Sequence, residues 1–245
     1  MTVVLKLGGS VITEKGVPET VDDDALAAAA EAVAASDGDI VLVHGGGSFG
    51  HHHAAEYGVS TTEGTHDAAG VRAIHDAMRR LNDAVVGALA ERDVPAVPVH
   101  PFSAASRDTD GSLDLPTEQV RTLLAEGFVP VLHGDLVAHR GAGATVVSGD
   151  ELVVELAAAV RADRVGVCST VPGVLDSDDA VIDRIDSFDD LAAALGGSET
   201  TDVSGGMAGK VRTLLSLSSP AQVFGPDALP AFLAGEAVGT TVGSE

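Results

Sequence analysis

Short apolar runs alternate with helical stretches along the whole chain, and this alternation limits the possible folds more than any other feature. The first run, residues 2–7, is apolar at nearly every position, and Ile40-Val41-Leu42-Val43 repeats the pattern. Continuous apolar runs of this length are typical of strands buried on both faces. Helical crossovers between such strands give a mainly parallel sheet covered on both faces. The sequence therefore predicts an α/β fold, an open sheet sandwiched by helices.

The other elements follow from periodicity and from capping residues. Further strands are predicted at 94–99, 129–133, around Val165, 221–224 and 238–242. A hairpin is predicted between 136–138 and 145–147, with glycines in its turn. Helices are predicted at 22–36, 67–92, from Pro116, at 150–161, at 189–195, from the glycine-rich segment 204–209 to about residue 218, and from Asp227. No linker or repeat interrupts this order, so residues 1–245 are predicted to form one domain.

Lysine is rare in this chain, and each lysine lies beside glycine. Lys and Arg together number 14, of which only three are lysines. Lys6 precedes Leu7-Gly8-Gly9-Ser10, Lys15 precedes another glycine, and Lys210 ends Ser204-Gly205-Gly206-Met207-Ala208-Gly209-Lys210. Glycine lets backbone N–H groups approach a ligand closely, and an ammonium group beside them suits a phosphate. The placement of the lysines indicates phosphate chemistry.

Two glycine-rich loops follow predicted strands. Gly8-Gly9-Ser10 comes after the first strand and Gly45-Gly46-Gly47-Ser48 after the second. Because ligands gather at the carboxyl ends of parallel strands, both loops should face one crevice. Neither loop has the spacing of a Walker A motif or of a dinucleotide-binding fingerprint. Two such loops at one crevice could hold two phosphates, one from each of two substrates.

Two polar groups near these loops are further candidates. His51 ends the second loop at a predicted helix start, where it could bind a phosphate or simply cap the helix in solvent. His52 and His53 are interpreted as surface residues. Asp150, in Ser148-Gly149-Asp150, could cap a helix, orient the lysines, or do both. No second histidine cluster has ligand spacing, so no metal site is predicted.

The composition excludes several classes of function. A formal charge of −23 would repel nucleic acid, and it is typical of proteins adapted to a salt-rich cytosol. Cys168 is the only cysteine, so we expect no internal disulfide and a reducing cytoplasm. No secretory signal is visible, and no apolar run reaches the roughly 18 residues of a membrane span.

Taken together, these segments resemble the amino acid kinase superfamily and, within it, the isopentenyl phosphate kinases. The resemblance covers essentially the whole chain in order. It rests on residues 6–10, Lys15, His44-Gly45-Gly46-Gly47-Ser48-Phe49-Gly50-His51, Pro130-Val131-Leu132-His133-Gly134-Asp135, 148–150 and Asp202-Val203-Ser204-Gly205-Gly206-Met207. The histidine that closes the second loop, His51, is the feature that points to isopentenyl phosphate.

The resemblance implies a cytoplasmic enzyme that uses ATP and Mg²⁺ to phosphorylate isopentenyl phosphate to isopentenyl diphosphate in isoprenoid biosynthesis. It also implies a homodimer without nucleic-acid or membrane partners. An N-terminal lobe, residues 1–147, would bind the acceptor, and a C-terminal lobe, residues 148–245, would bind the nucleotide. An apolar stripe of Val71, Ile74 and Met78 is either core or a wall for the isoprenoid tail.

Individual roles are implied in the same way. Catalytic roles fall to Lys6, Lys15, His51 and Asp150, with Lys15 stabilising the transferring phosphoryl group. ATP contacts fall to Lys6, Leu7, Gly8, Gly9, Ser10, Gly47, Thr170, Gly206 and Lys210. Acceptor contacts fall to Gly46, His51 and Gly149. The chain departs from many relatives in one loop, where Ser169-Thr170-Val171-Pro172-Gly173-Val174 replaces a T-D-V-x-G-V pattern and lacks its acid.

Three alternatives stay open. A sister kinase, such as one acting on fosfomycin, would share every phosphate motif and differ only in its acceptor pocket. An acetylglutamate-type kinase would need a basic residue for the substrate carboxylate, and residues 45–66 contain no lysine or arginine. A non-catalytic nucleotide-binding regulator should lack Lys15 or Asp150, and this chain has both.

Overall fold

The computed structural model describes residues 1–194 and 206–243. The strands are β1 Thr2–Leu7, β2 Asp39–His44, β3 Ala96–Pro98, β4 Ser106–Arg107, β5 Leu113–Asp114, β6 Val129–His133, β7 Asp135–His139, β8 Gly143–Val147, β9 Arg164–Cys168, β10 Arg184–Ile185, β11 Ala221–Phe224 and β12 Thr240–Val242. The helices are α1 Gly9–Ile12, α2 Asp23–Ala34, α3 Gly47–Glu56, α4 Ala68–Ala90, α5 Glu118–Ala125, α6 Gly149–Val160, α7 Phe188–Ala194, α8 Gly206–Leu214 and α9 Leu229–Leu233.

A large sheet forms the centre of the fold. Its strand order is β10-β12-β11-β9-β1-β2-β6-β3. Strands β11, β9, β1, β2, β6 and β3 run parallel to one another, and β12 reverses against β11. β1 and β2 are therefore central neighbours, in register from Thr2 opposite Asp39 to Leu7 opposite His44. The predicted mainly parallel α/β sheet is confirmed.

The side chains of β1 show why both faces of the sheet are covered. Val3, Leu5 and Leu7 pack into a core with α2, α4 and α9. Val4 faces the other way, into a core with α6 and α8. Burying such side chains completely contributes about 1.5–3 kcal/mol each. Lys6 shares the face of Val4 because alternate residues of a strand point to the same side. The ammonium group of Lys6 is thereby directed towards α6.

Capping residues fix the helix starts that matter for the site. Asp22 accepts a hydrogen bond from Ala25 N at the start of α2, and Asp67 accepts one from Ala69 N at the start of α4. Ser148 forms a full capping box with Glu151 at the start of α6. Because α6 begins at Gly149, Asp150 lies in its first turn.

Several predicted boundaries were wrong. β3 is shorter than 94–99, α5 begins at Glu118 rather than at Pro116, and α8 ends at Leu214 rather than near 218. A 3-10 turn, Pro226–Ala228, precedes α9. The most consequential difference concerns α3, which begins at Gly47 rather than at His51. His51 is therefore the fifth residue of that helix, beyond the free N–H groups of its first turn.

The predicted hairpin is confirmed, but it belongs to a second sheet. β7 and β8 pair antiparallel, with Leu136 opposite Val146, and the sheet order is β5-β4-β7-β8. The two-residue strands β4 and β5 were missed because so short a segment carries no periodic signal. β7 follows β6 after Gly134 alone, so this small sheet lies beside the carboxyl ends of β2 and β6. Within the described residues, no helix combines the length and apolarity needed to cross a bilayer.

Candidate active site

The two glycine loops pack directly against each other. Gly8 N donates to Cys168 O at 2.8 Å, and Gly45 N donates to Leu7 O at 2.9 Å. The first residue of each loop therefore still bonds to the end of the neighbouring strand. A Cβ on Gly45 would lie 2.6 Å from Gly9 N, too close for any side chain. Glycine at these positions is therefore required by packing as well as by access to a ligand.

A threonine hydroxyl joins the two loops, although no sequence pattern indicated it. Thr13 Oγ1 donates to Gly9 O at 2.8 Å and accepts from Ser48 N at 3.1 Å. Thr13 is buried, and it lies immediately after α1. This pair of bonds holds the first turn of α3 against the first loop.

Lys6 and Asp150 form a close ion pair at the carboxyl end of β1. Lys6 Nζ lies 2.7 Å from Asp150 Oδ1, and Lys6 is only 6% exposed. A Cβ on Gly149 would lie 3.0 Å from Lys6 Cε, so glycine there leaves room for the lysine side chain. Burial and the nearby Lys6 charge lower the pKa of Lys210, and Asp150 opposes this shift. Asp150 is therefore paired with Lys6, and its charge also acts on the ammonium group of Lys210.

A cavity of about 700 Å³ opens at these loops and contains most of the predicted site residues. Those that line it are Lys6, Gly8, Gly9, Ser10, Gly46, His51, Gly149, Asp150, Thr170, Gly206 and Lys210. This size suits a small ligand enclosed by a cleft. Part of two predicted motifs lies outside the described residues: residues 204 and 205 of the glycine-rich segment 204–210, and residues 202–205 of the motif 202–207.

Three predicted residues do not line the cavity. The side chain of Leu7 is buried in the core between the sheet and its helices. Gly47 is buried behind the first loop, with a φ of +48° that favours glycine. Lys15 is exposed on the turn between α1 and α2.

One part of the cavity lining, here called the apolar end, consists mainly of aliphatic side chains. Val59, Ile74, Met78 and Val146 line it, next to Gly46 and His51. Met78 also packs against Gly50, where a Cβ would lie 2.7 Å from its sulfur. From the predicted stripe, Ile74 and Met78 reach the cavity, whereas Val71 packs behind it. His51 is exposed and lines the same cavity.

A buried histidine cluster beneath the cavity was missed in the sequence. His44 and His133 are the last residues of the neighbouring strands β2 and β6, and their rings stack at 5.4 Å. Each ring bonds the carbonyl oxygen of the glycine that follows it, Gly45 or Gly134. The repeated His-Gly pair at two strand ends was the only available signal. Because both glycines line the cavity, these rings support its floor.

Burial keeps the two rings neutral. It lowers the pKa of His44 to about 4 and the pKa of His133 well below its ordinary value. His44 Nε2 lies 3.1 Å from the side-chain oxygen of Asn82, whose amide nitrogen is buried without a partner. When His44 Nδ1–H donates to Gly45 O, the other ring nitrogen, Nε2, is an acceptor. Rotating the Asn82 amide by a half-turn lets its N–H donate to Nε2, so that both His44 Nε2 and the Asn82 nitrogen have a partner. The neutral ring and the amide then form a consistent network.

A carboxylate completes this cluster. Asp135, 2% exposed, accepts from His75 Nδ1 at 2.9 Å and from Leu136 N at 2.8 Å. His100 Nδ1 lies 2.8 Å from His133 Nε2. Burial raises the pKa of Asp135, while the bond from His75 opposes that shift. Asp135 lines the cavity, yet its oxygens are already bonded within the protein.

Comparison with known proteins identifies the family. Residues 1–221 match the amino acid kinase family. The chain belongs to the amino acid kinase family. It is 66% identical to isopentenyl phosphate kinase of Haloferax volcanii, over 99% of each chain. It is 38% identical to isopentenyl phosphate kinase of Methanothermobacter thermautotrophicus, over 88% of this chain and 86% of the relative.

A solved structure supports the same placement. An X-ray structure of isopentenyl phosphate kinase superposes with a TM-score of 0.84 and 30% identity, over 98% of each chain. The αβα architecture of this kinase chain is therefore that of the family.

The residues around the cavity also limit where a cation could bind. Among the described lining residues the carboxylates are Asp135 and Asp150, and each is already paired with a base. Mg²⁺ commonly binds through substrate phosphates and one or two carboxylates. The site therefore fits a Mg²⁺ ion that is carried mainly by nucleotide phosphates. Outside the cavity, ligand atoms of His52, His53 and Glu56 lie within 4.8 Å of one another, on the surface of α3.

Proposed function

We propose that this kinase transfers the γ-phosphoryl group of ATP to isopentenyl phosphate, giving isopentenyl diphosphate and ADP for isoprenoid biosynthesis. One observation carries the proposal: a single cavity is lined by two glycine loops, the Lys6–Asp150 pair, His51 and a group of aliphatic side chains. The loops suit two phosphates, and the apolar end suits a short hydrocarbon tail. The similarity to the Haloferax volcanii enzyme supports the same substrate.

The proposed reaction needs little catalysis by proton transfer. The acceptor oxygen belongs to a phosphate and is ionised near neutral pH, so no strong general base is needed. The protein has to bring two anions together and stabilise the charge that spreads over the transferring group. In this proposal Lys6, held by Asp150, and Lys210 contact the nucleotide phosphates, and their position in the cavity lining supports this role. Lys15 stabilises the phosphoryl group in transfer, and Gly46, Gly149 and His51 hold the acceptor phosphate.

Electrostatics explains why such a site needs buried cations. With a formal charge of −23, the whole protein repels anionic substrates at long range. Lys6 is shielded from solvent, so its attraction for phosphate is weakened little by salt. High salt screens the long-range repulsion much more. The combination favours activity in concentrated salt.

The remaining features of the proposal concern organisation. Residues 1–147 form the acceptor-binding lobe and residues 148–245 the nucleotide-binding lobe of a single kinase domain. Mg²⁺ accompanies ATP and neutralises phosphate charge. The enzyme acts in the cytoplasm as a homodimer.

An ADP-release assay in concentrated KCl tests the substrate. Isopentenyl phosphate, fosfomycin and acetylglutamate are compared at equal concentrations, and only the first is expected to give rapid turnover. Faster release with fosfomycin would favour a sister kinase, since the phosphate loops would be shared and the apolar end would hold another acceptor. ATP binding without turnover on any acceptor would favour a regulator.

A further inference from the structure

The turn that carries Lys15 is held to the rest of the protein in an unusual way. Residues 14–20, the Lys15 turn, connect α1 to α2 and are closed by an antiparallel bridge between Thr13 and Val21. Glu14 N donates to Thr20 O at 3.0 Å across its base. Lys15 itself is exposed. A short exposed turn of this kind needs contacts elsewhere if its side chains are to have a fixed position.

The first such contacts are to the start of α3. Glu19 N donates to Ser48 O at 3.3 Å, and Thr20 N donates to Ser48 Oγ at 3.3 Å. Ser48 Oγ in turn donates to Thr20 O at 3.2 Å. Ser48 belongs to the second glycine loop, and its N–H is the group bonded by Thr13. The end of the Lys15 turn therefore lies against the helix that also carries His51.

The carboxylate of Glu19 makes the second set of contacts. Its Oε1 accepts from His53 Nε2 on α3 at 2.5 Å, and its Oε2 accepts from Arg80 on α4 at 2.7 Å. Glu19 has a φ of +50°, a conformation that a glutamate adopts only when its surroundings hold it there. The bond from His53 and the bond and charge of Arg80 lower the pKa of Glu19 against the effect of burial.

Both partner helices contribute to the acceptor end of the cavity. His51 on α3 and Met78 on α4 line it, each two residues before the partner that binds Glu19. One carboxylate thus connects the Lys15 turn to the two helices that contain these lining residues. This connection has no part in phosphate binding by itself, because neither Glu19 nor His53 nor Arg80 lines the cavity.

We propose that Glu19 is a positioning residue whose bonds to His53 and Arg80 fix the Lys15 turn on α3 and α4, so that Lys15 meets the phosphoryl group during transfer. The inference rests on the proposed function and on the role of Lys15 within it. Small displacements of a catalytic group reduce the rate steeply, because the correct geometry must then be found during each turnover. Glu19 therefore acts on the catalytic step through Lys15, with little effect on ATP binding.

The test replaces Glu19 in the whole protein and measures kcat and KM separately for ATP and isopentenyl phosphate. We expect Glu19→Ala to lower kcat about tenfold and to leave the KM for ATP within about twofold, since its effect is confined to positioning. Glu19→Gln keeps one acceptor oxygen, enough for either His53 or Arg80 but not for both, and should lose about threefold. Glu14→Gln is the matched control. It removes a carboxylate from the same turn, yet Glu14 makes none of the ion pairs found in the described part of the chain, and its kcat should not change.

A double-mutant cycle with Lys15→Ala decides whether Glu19 acts through Lys15. We expect Glu19→Ala to cause almost no further loss when Lys15 is absent, because there is then nothing to position. A full additional tenfold loss would overturn the proposal, and so would unchanged kcat in Glu19→Ala. Near-native activity of Lys15→Ala alone would instead refute the assigned role of Lys15. If Glu19→Ala melts below the assay temperature, the same cycle is run with Arg80→Met, which removes one of the two bonds, and an additive result again overturns the proposal.

Discussion

Lys6 and Lys15 serve the same substrate phosphates in this proposal, but the protein holds them very differently. Lys6 is 6% exposed and paired with Asp150 at 2.7 Å. Lys15 is exposed on a turn that is anchored through a neighbouring residue, Glu19. A charge that is fixed in advance costs no reorganisation when the nucleotide binds. An exposed charge such as that of Lys15 can approach the phosphoryl group during its transfer. The turn that carries this charge must then be held in position by other contacts.

The largest effect should follow from removing the buried lysine. Lys6→Ala deletes one of the lysines that line the cavity and leaves Asp150 without its close partner. We expect kcat/KM for ATP to fall by about 10³-fold or more, because an electrostatic contact of this kind acts in both the ground and the transition state. Initial rates over a range of ATP concentrations measure this.

The double variant with Asp150→Ala provides the control. It removes the unpaired carboxylate, so it should recover part of any lost thermal stability without recovering activity. Equal activity of Lys6→Ala and the parent would contradict the view that the phosphate end is preorganised around this pair.

The exposed lysine should affect the rate and not the binding of ATP. Lys15→Ala is expected to lower kcat by about 10²–10³-fold while the Kd for ATP changes little, because its contact forms mainly in the transition state. Turnover assays and calorimetric titration with a non-hydrolysable ATP analogue separate these quantities. A parallel loss of ATP affinity would mean that Lys15 behaves like Lys6, and the contrast between the two lysines would disappear.

The same contrast explains what could be predicted from the sequence. Lys6, Gly8 and Asp150 are recognisable because strand ends and helix starts are local patterns, and parallel strands bring such ends together. The hairpin was also predictable, since alternation and turn glycines are local. Contacts such as Thr13 with Ser48, or Glu19 with His53, join segments that no periodicity relates. They depend on the packing of α3, whose start was itself placed four residues too late.

Substitution of His51 tests whether this residue binds the acceptor phosphate. His51→Ala should weaken use of isopentenyl phosphate by roughly 10- to 150-fold, from the loss of a charge-assisted bond of about 1.5–3 kcal/mol. His51→Asn keeps a donor and should lose less, and ATP affinity should survive in both. The KM and kcat for isopentenyl phosphate are measured in each variant.

A neighbouring histidine gives the matched control for His51. His52 is exposed on the same helix, does not line the cavity, and should tolerate alanine. If His51→Ala and His52→Ala were equally active, the acceptor phosphate would have to be held elsewhere, and a sister kinase would become the better proposal.

The smallest expected effect concerns stability, and it compares buried with exposed histidines. The pKa of His44 falls from 6.5 to about 4 on folding. The unfolded chain therefore binds a proton between these values that the folded chain does not, so stability decreases as pH falls through this window. From pH 7 to pH 5, His44 alone should remove about 2 kcal/mol from the free energy of unfolding. His133 is shifted in the same direction. Asp135 has a raised pKa, so its effect has the opposite sign, and its contribution to stability increases as the pH falls.

Urea unfolding at pH 7 and pH 5, at constant KCl, measures this slope. His44→Gln should be less stable than the parent at pH 7, because the Gln cannot reproduce both bonds, yet it should lose less stability on acidification. His66→Gln is the control, since His66 is exposed and lies outside the cluster. An unchanged slope in His44→Gln would show that His44 contributes no pH-dependent stability. The floor of the acceptor end would then owe its pH sensitivity to His133 and to the Asp135 carboxylate.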